Sequence, residues 1–212
     1  MSKLKHGSTD YTKTFTVAAA DANGLADDVA YDAGGFALTA NDMGDDCSHT
    51  VTILGNAATN HSGKTFTATG TNANGVAVTT SVAGPNGVAS VSFPVRLKTV
   101  TSVTVDSTTG ADTFDIGWAA DACTPWVPLN YLQRNFSVGV GVVLVSGSAN
   151  YSLMRTYDDI ETSAARGVTD GTMVTKTATS DVGIVAPIKA VKLVINSHTS
   201  GVLRFNVLQG NS

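Results

Sequence analysis

The sequence predicts an all-β protein: two antiparallel β-sandwich modules, Ig-like or jelly-roll-like, in tandem behind an N-terminal arm. Three observations lead there. Apolar and β-branched residues alternate with polar ones in short runs, as half-buried strands require, because successive side chains point to opposite faces of a sheet. Gly, Asn and Ser cluster between the runs and mark turns. Finally, Lys98/Lys189, Val100/Val191, Val103/Val194, Thr108/Thr199, Gly110/Gly201 and Phe114/Phe205 are identical at a constant offset of 91 residues. In each copy two apolar runs flank a Ser/Thr/Gly turn, which predicts a duplicated terminal β-hairpin and hence two similar modules.

Residues 1–35 are small and polar. They read as an arm carrying one strand, Thr14 to Ala18, with a turn at Asp21-Ala22-Asn23-Gly24 and a weak helical alternative over Ala26 to Ala30. The first module, 36–118, begins at Phe36 and contains strands Val51 to Leu54, Thr65 to Thr69, Val76 to Val82, Val88 to Val95, Thr99 to Val105 and Thr113 to Gly117. Asn74-Gly75 tolerates positive φ and predicts a tight hairpin between the second and third of these. Pro94 has no N–H to give a ladder, so its strand is expected at an edge or bulged at that residue. Cys123, Pro125, Trp126 and Pro128 interrupt the alternation, and 119–128 read as a linker. The second module, 129–212, opens with Phe136 to Val145, turns at Ser146-Gly147-Ser148-Ala149 and continues through Asn150 to Tyr157. A polar excursion, Asp158 to Gly183, precedes the terminal hairpin of Lys189 to Asn196 with Gly201 to Leu208.

Composition narrows the function classes. Hydrophobic residues make up 42% of the 212 positions, enough for a substantial core. Charged residues are only 14%, the net charge is −4, and the 13 Lys and Arg are scattered. A nucleic-acid surface needs clustered basic groups, so no nucleic-acid partner is expected. The longest apolar run, Val138 to Val145, is too short to cross a bilayer as a helix, and the polar start Met1 to Gly7 lacks the pattern of a secretion signal. A soluble protein made in a cytoplasm, without a membrane partner, is the expectation.

No catalytic, cofactor-binding or metal residue is assigned from the sequence. Ser62-Gly63-Lys64-Thr65 has the ending of a phosphate loop, but Ala58 stands where its first glycine belongs and a strand pattern follows, so it reads as a turn. Asp42, Asp45 and Asp46 lack the spacing that wraps a chain round calcium and read as a solvated acidic loop, as do Asp158, Asp159 and Glu161. His6, His49, His61 and His198 are dispersed and read as surface residues. Cys47 and Cys123 read as free buried thiols, with a long-range disulfide left open. Trp118, Trp126 and Tyr131 read as packing between modules, or as a sugar or interface platform.

The run Lys98 to Val105 ending at Asp115-Ile116-Gly117-Trp118, the opening Val127-Pro128-Leu129-Asn130-Tyr131, and the tract Tyr151 to Asp159 together resemble the tandem β-sandwich virion structural proteins of tailed bacteriophages. The resemblance covers residues 36–212 as a pattern of strands and turns. It implies a non-enzymatic virion protein, foremost a capsid decoration or cement protein, with a neck, tail or fibre-base protein as the alternative. The expected partners are a major capsid protein or other virion proteins and further copies of the chain, with residues 1–35 crossing to a neighbour. The expected location is the virion, assembled in the host cytoplasm. A carbohydrate-binding adhesin using Trp118, Trp126 or the acidic loops is the reading from another class.

Overall fold

The structure, a computed structural model, describes residues 9–32, 34–162 and 165–210. Among them there is no helix, and the strands pair antiparallel throughout. The chain forms two units. One, here the central unit, is Ala19–Ala120; the other, the terminal unit, combines the chain up to Ala18 with the chain from Asp121 onward.

The first strand, β1 (Thr9–Thr16), belongs to the terminal unit. The central unit holds β2 (Asp21–Ala30), β3 (Val51–Gly55), β4 (Thr65–Thr71), β5 (Ala77–Ala83), β6 (Ser90–Ser92), β7 (Thr99–Val105) and β8 (Thr113–Trp118). They form a four-stranded sheet of order β2-β8-β3-β6 and a three-stranded sheet of order β5-β4-β7. One apolar row of each sheet faces inward: Val51, Ile53, Phe114 and Ile116 from the first, Phe66, Ala68, Val100 and Val103 from the second, all fully buried, with an irregularity at Thr101 bringing Val100 into phase with Val103. Phe36 stacks on Phe66 at 5.8 Å between ring centroids and meets Phe114 edge-on at 5.5 Å. Phe66 and Phe114, one from each sheet, lie 5.4 Å apart. This trio joins the sheets into a sandwich. Full burial of such side chains is worth about 1.5–3 kcal/mol each.

Turn chemistry fixes the register of β4 and β5. Asn72 N–H donates to Val76 and Gly75 N–H donates to the Asn72 carbonyl, with Gly75 at φ 78°. The hairpin is therefore the one that Asn74-Gly75 predicts. β6 is an edge strand, consistent with Pro94.

The terminal unit adds β9 (Ala122–Cys123), β10 (Val127–Pro128), β11 (Val138–Thr156), β12 (Val168–Thr169), β13 (Ser180–Ile184) and β14 (Ala190–Gln209). β11 and β14 pair along nearly their whole length. β1 and the short β9 and β10 flank β14, while β12 and β13 flank β11. Leu153, Leu193, Ile195, Leu203, Phe205 and Val207 are buried along this ladder.

Several expectations are corrected here. Neither copy of the repeated stretch is a hairpin. In the first copy β7 and β8 lie in different sheets of the central unit; in the second, the chain passes straight through Ser197 to Gly201 as one strand. The expected turn at Ser146 to Ala149 is likewise interior to β11. Both strands bulge at the same level instead. Ser200 (φ 47°) faces Gly147 (φ 70°), where a Cβ would come within 2.2 Å of the Ser200 carbonyl oxygen, so the glycine admits a close backbone approach. The register shifts around Ser146 mark the same point.

The described part of the arm is sheet. β1 pairs with β14 from Thr9/Gln209 to Thr16/Val202, and Phe15 and Val17 are buried while Tyr11 packs edge-on against Phe205 at 6.0 Å. The apolar alternation Tyr11, Phe15, Val17 needs a covering partner, which β14 supplies. β2 replaces the weak helix: it pairs with β8, and Asp28 at φ 51° forms the bulge, its N–H donating to Asp115 at 2.8 Å. The proposed linker 119–128 contains β9 and β10, held on β14 because Ala122, Cys123 and Val127 are buried. The unit boundaries therefore fall at 18/19 and 120/121, not at 36, 119 and 129, and the units are not a simple tandem. The excursion after Asp158 is partly structural, with Met173 fully buried and Tyr151 and Lys176 exchanging backbone hydrogen bonds.

Candidate functional site

The residues singled out by the sequence are mostly held by internal partners. Ser62 to Thr65 is a turn leading into β4, where Lys64 Nζ donates to the Thr108 carbonyl at 2.6 Å and faces no phosphate cradle. In the acidic loop, Asp42 accepts from Gly44 N–H at 2.9 Å and Asp45 accepts from Cys47 N–H at 2.9 Å. Asp45 also meets His49 Nε2 at 2.8 Å, and Asp46 pairs with Lys98 at 2.9 Å. Asp45 is 3% exposed in its side chain, so this loop is not simply solvated. Among the described residues no cluster of three or more His, Cys, Asp or Glu has a metal-holding arrangement. Asp158 and Asp159 cap local turns through Arg166 N–H and Glu161 N–H.

His49 and His61 correct the surface reading, since both are buried. Each donates through Nε2 to a carboxylate, His61 to Asp112 at 3.0 Å, and the Nδ1 atom of each is buried without a hydrogen-bond partner among the described residues. The Thr59 hydroxyl, with His61 behind it, holds the Asp112 carboxyl below the usual aspartate range. His198 reaches the Ala18 carbonyl at 2.9 Å, and His6 lies outside the described residues. Cys47 and Cys123 are buried thiols that form no disulfide. Trp118 donates to the Ala19 carbonyl at 2.7 Å within the central unit. Trp126 is buried under Lys192, 4.5 Å from its ring, within the terminal unit, and Tyr131 has Lys189 at 5.8 Å. These aromatics thus pack inside their own units, and Trp126 presents no open platform.

Two surfaces remain, and neither was legible as a site in the sequence. The first is the outer edge and face of the three-stranded sheet. Asn72/Val76 and Lys64/Gly84 are hydrogen-bonded pairs at the two ends of the β4/β5 ladder. In an antiparallel pair such positions alternate, so Val78, Thr80 and Val82 bond to β4, while the backbone groups of Ala77, Thr79, Ser81 and Ala83 aim outward. Their side chains are exposed as well. Among the described residues nothing bonds to that outward row. The opposite edge is covered, because Phe36 N–H donates to Val103 and Val100 N–H donates to Asn41. The solvent face of the same sheet is a hydroxyl ladder: Thr67 with Ser81 at 2.9 Å, Thr69 with Ser102 at 2.6 Å, Thr71 with Thr99 at 2.7 Å.

The second surface is a groove of about 460 Å³ in the terminal unit, lined by Asn150, Ser152, Thr169, Thr175, Asn196 and Ser197 together with the apolar Met154, Val174 and Val194. Asn196 Nδ2 donates to Asn150 at 2.7 Å and to Ser152 at 3.1 Å, while the Ser152 hydroxyl accepts from Thr175 N–H at 3.0 Å. The lining carries no charged side chain; it combines these paired amides and hydroxyls with a larger apolar surface. Such amides and hydroxyls bind by directional hydrogen bonds.

The fold defines the class: an all-β, sandwich-type protein. No family model and no curated protein matches the chain. Among solved structures, the K1 cleaved adhesin domain of Lys-gingipain from Porphyromonas gingivalis W83 is 13% identical over 48% of this chain and 76% of that one, with a TM-score of 0.25, a likeness too low to carry an argument.

Proposed function

We propose that this chain is a non-enzymatic structural part of a larger particle: a tailed-phage virion protein that decorates and cements an assembled shell. One observation carries the reading, the seven-residue uncharged edge β5 with its outward row of unpartnered backbone groups beside a hydroxyl-covered face. An edge of this kind is a template for strand addition. A protein that binds the assembled lattice and not the loose subunit stabilises the assembled state by mass action. The major capsid protein and further copies of this chain are the partners this reading requires, and sparse positive charge suits a part that should ignore packaged DNA. Quantitative mass spectrometry of purified particles tests it. Hundreds of copies per particle support decoration, a small ring number moves the protein to neck or tail, and absence from particles removes the reading.

The groove favours a second reading, a carbohydrate-binding adhesin, because its fixed Asn and Ser groups, set beside the apolar Met154, Val174 and Val194, match the donors and acceptors of sugar hydroxyls. Glycan-array binding abolished by Asn196→Ala, with folding intact, would establish it. Binding that instead followed Trp126 would contradict the groove.

A further inference from the structure

The described sheet edges differ in how they are guarded. β1 carries Asp10 and Lys13, β2 carries Asp21, Asp27 and Asp28 with bulges, and β13 carries Asp181. β6 has three residues and is followed by Pro94; β9, β10 and β12 have two each. β7 is covered by the 36–41 segment. Such devices are how β proteins prevent edge-to-edge pairing. β5, Ala77-Val78-Thr79-Thr80-Ser81-Val82-Ala83, has none of them: no charge, no proline, and an unbroken register with β4 from Thr65/Ala83 to Thr71/Ala77.

We propose that β5 is a self-association edge and that its occupant is β5 of a second copy, antiparallel about a two-fold axis through Thr80. The inference rests on the assembly reading above and names its partner. Symmetry selects the register. An isologous antiparallel pair places residue i opposite j and j opposite i, and only outward-facing residues can exchange hydrogen bonds. Centring on Thr80 puts Thr79 opposite Ser81 and Ala77 opposite Ala83, so all four outward residues of each copy are used and about eight backbone bonds form. A shift of two residues leaves outward groups of both copies without partners. A shift of one sets outward against inward groups and forms none. The side chains that meet are small and neutral. Thr79 faces Ser81, a hydroxyl pair of the kind that stabilises neighbouring strands, and Ala77 faces Ala83, so nothing repels and nothing collides. The product is a continuous six-stranded sheet whose outer face prolongs the hydroxyl ladder of Thr67, Thr69 and Thr71 across both copies. One seven-residue edge buries less than a standard stable interface of about 1,600 Å², so the pairing is reversible in solution and reinforced where copies are concentrated on a particle.

Amide hydrogen exchange on the unmodified protein across a concentration series tests this residue by residue. Val78, Thr80 and Val82 amides, bonded to β4, should be protected at every concentration. Ala77, Thr79, Ser81 and Ala83 amides should gain at least tenfold protection as dimer forms in sedimentation equilibrium. The exposed positions allow a second arm: Thr79→Lys/Ser81→Lys should weaken self-association at least tenfold while the amides of Val78, Thr80 and Val82 keep their protection, and mixing it with Thr79→Glu/Ser81→Glu should restore pairing between unlike copies. A protein monomeric at all concentrations, a dimer in which those four amides exchange freely, or mixed variants that fail to pair would each overturn the proposal. An unmodified protein that does not pair through β5 yet incorporates normally into particles would sink this inference alone; pairing without incorporation would sink only the assembly reading.

Discussion

Phe114→Ala is the most direct probe of what joins the two sheets of the central unit. The ring is fully buried and has three aromatic neighbours, Phe36 at 5.5 Å, Phe66 at 5.4 Å and His61 at 5.2 Å. Its removal forfeits the transfer energy of the ring and leaves a cavity bordered by both sheets. Such truncations cost about 3–5 kcal/mol, a large part of the roughly 5–15 kcal/mol that holds a domain together. Unfolding of a unit of about 100 residues has a urea dependence near 1–1.5 kcal/mol/M, so a loss of about 4 kcal/mol lowers the midpoint by roughly 3 M. The chain has two tryptophans, one in each unit. In a Trp126→Phe background Trp118 alone therefore reports on the central unit, and its indole, bonded to Ala19 at 2.7 Å, changes environment on unfolding. Phe114→Leu keeps most of the volume and should cost about 1–2 kcal/mol. A midpoint shift below about 1 M for the alanine variant, or equal shifts for both variants, would refute the view that these rings carry the sheet-to-sheet packing.

Gly70→Ala should destabilise the same unit by about 2–3 kcal/mol in urea titrations, because a Cβ there would lie 1.8 Å from the Thr99 carbonyl oxygen, at the irregularity where β4 meets β7. Tyr151→Phe should cost about 1–2 kcal/mol, since the buried hydroxyl donates to the Ala178 carbonyl at 2.5 Å and its loss leaves that acceptor unpaired. Burial also raises the Tyr151 phenol, so a spectrophotometric titration of wild type against Tyr151→Phe should show the missing tyrosine ionising above the ordinary value of 10.0. Asp28 is held below the ordinary aspartate value of 3.8 by the Thr113 hydroxyl and Asn56, and Asp112 by the Thr59 hydroxyl and His61. A depressed carboxyl contributes stability that is present above pH 3.8 and is lost as pH falls through its lower folded value. Asp28→Asn and Asp112→Asn should accordingly flatten the acid limb of stability measured between pH 5 and 2; unchanged steepness would show that these hydrogen bonds do not survive in solution.

Several elements needed nothing beyond the chain's own local chemistry. The alternation of Val51, Ile53, Phe66, Ala68, Val103 and Val105 declares strands because a pleated backbone sends successive side chains to opposite faces, and those residues do face inward. Asn74-Gly75 makes its hairpin because positive φ is cheap there, and Pro94 follows an edge strand because it has no N–H to donate. Tertiary structure decided the rest. Ser146-Gly147-Ser148 and Thr199-Ser200-Gly201 have the composition of turns, yet each is a bulge, because the other strand bulges opposite it and keeps the ladder running. Tyr11, Phe15 and Val17 are too sparse to mark a sheet partner alone; only β14, far along the chain, gives that alternation a surface to cover. His49 and His61 are buried because Asp45 and Asp112 fold against them, Asp112 from a distant stretch of sequence. The exposed edge of β5 has the same origin: every residue in it was readable as strand, but whether a strand lies at an edge depends on which segments pair beside it, and pairing is set by long-range packing and not by the residues of the strand itself.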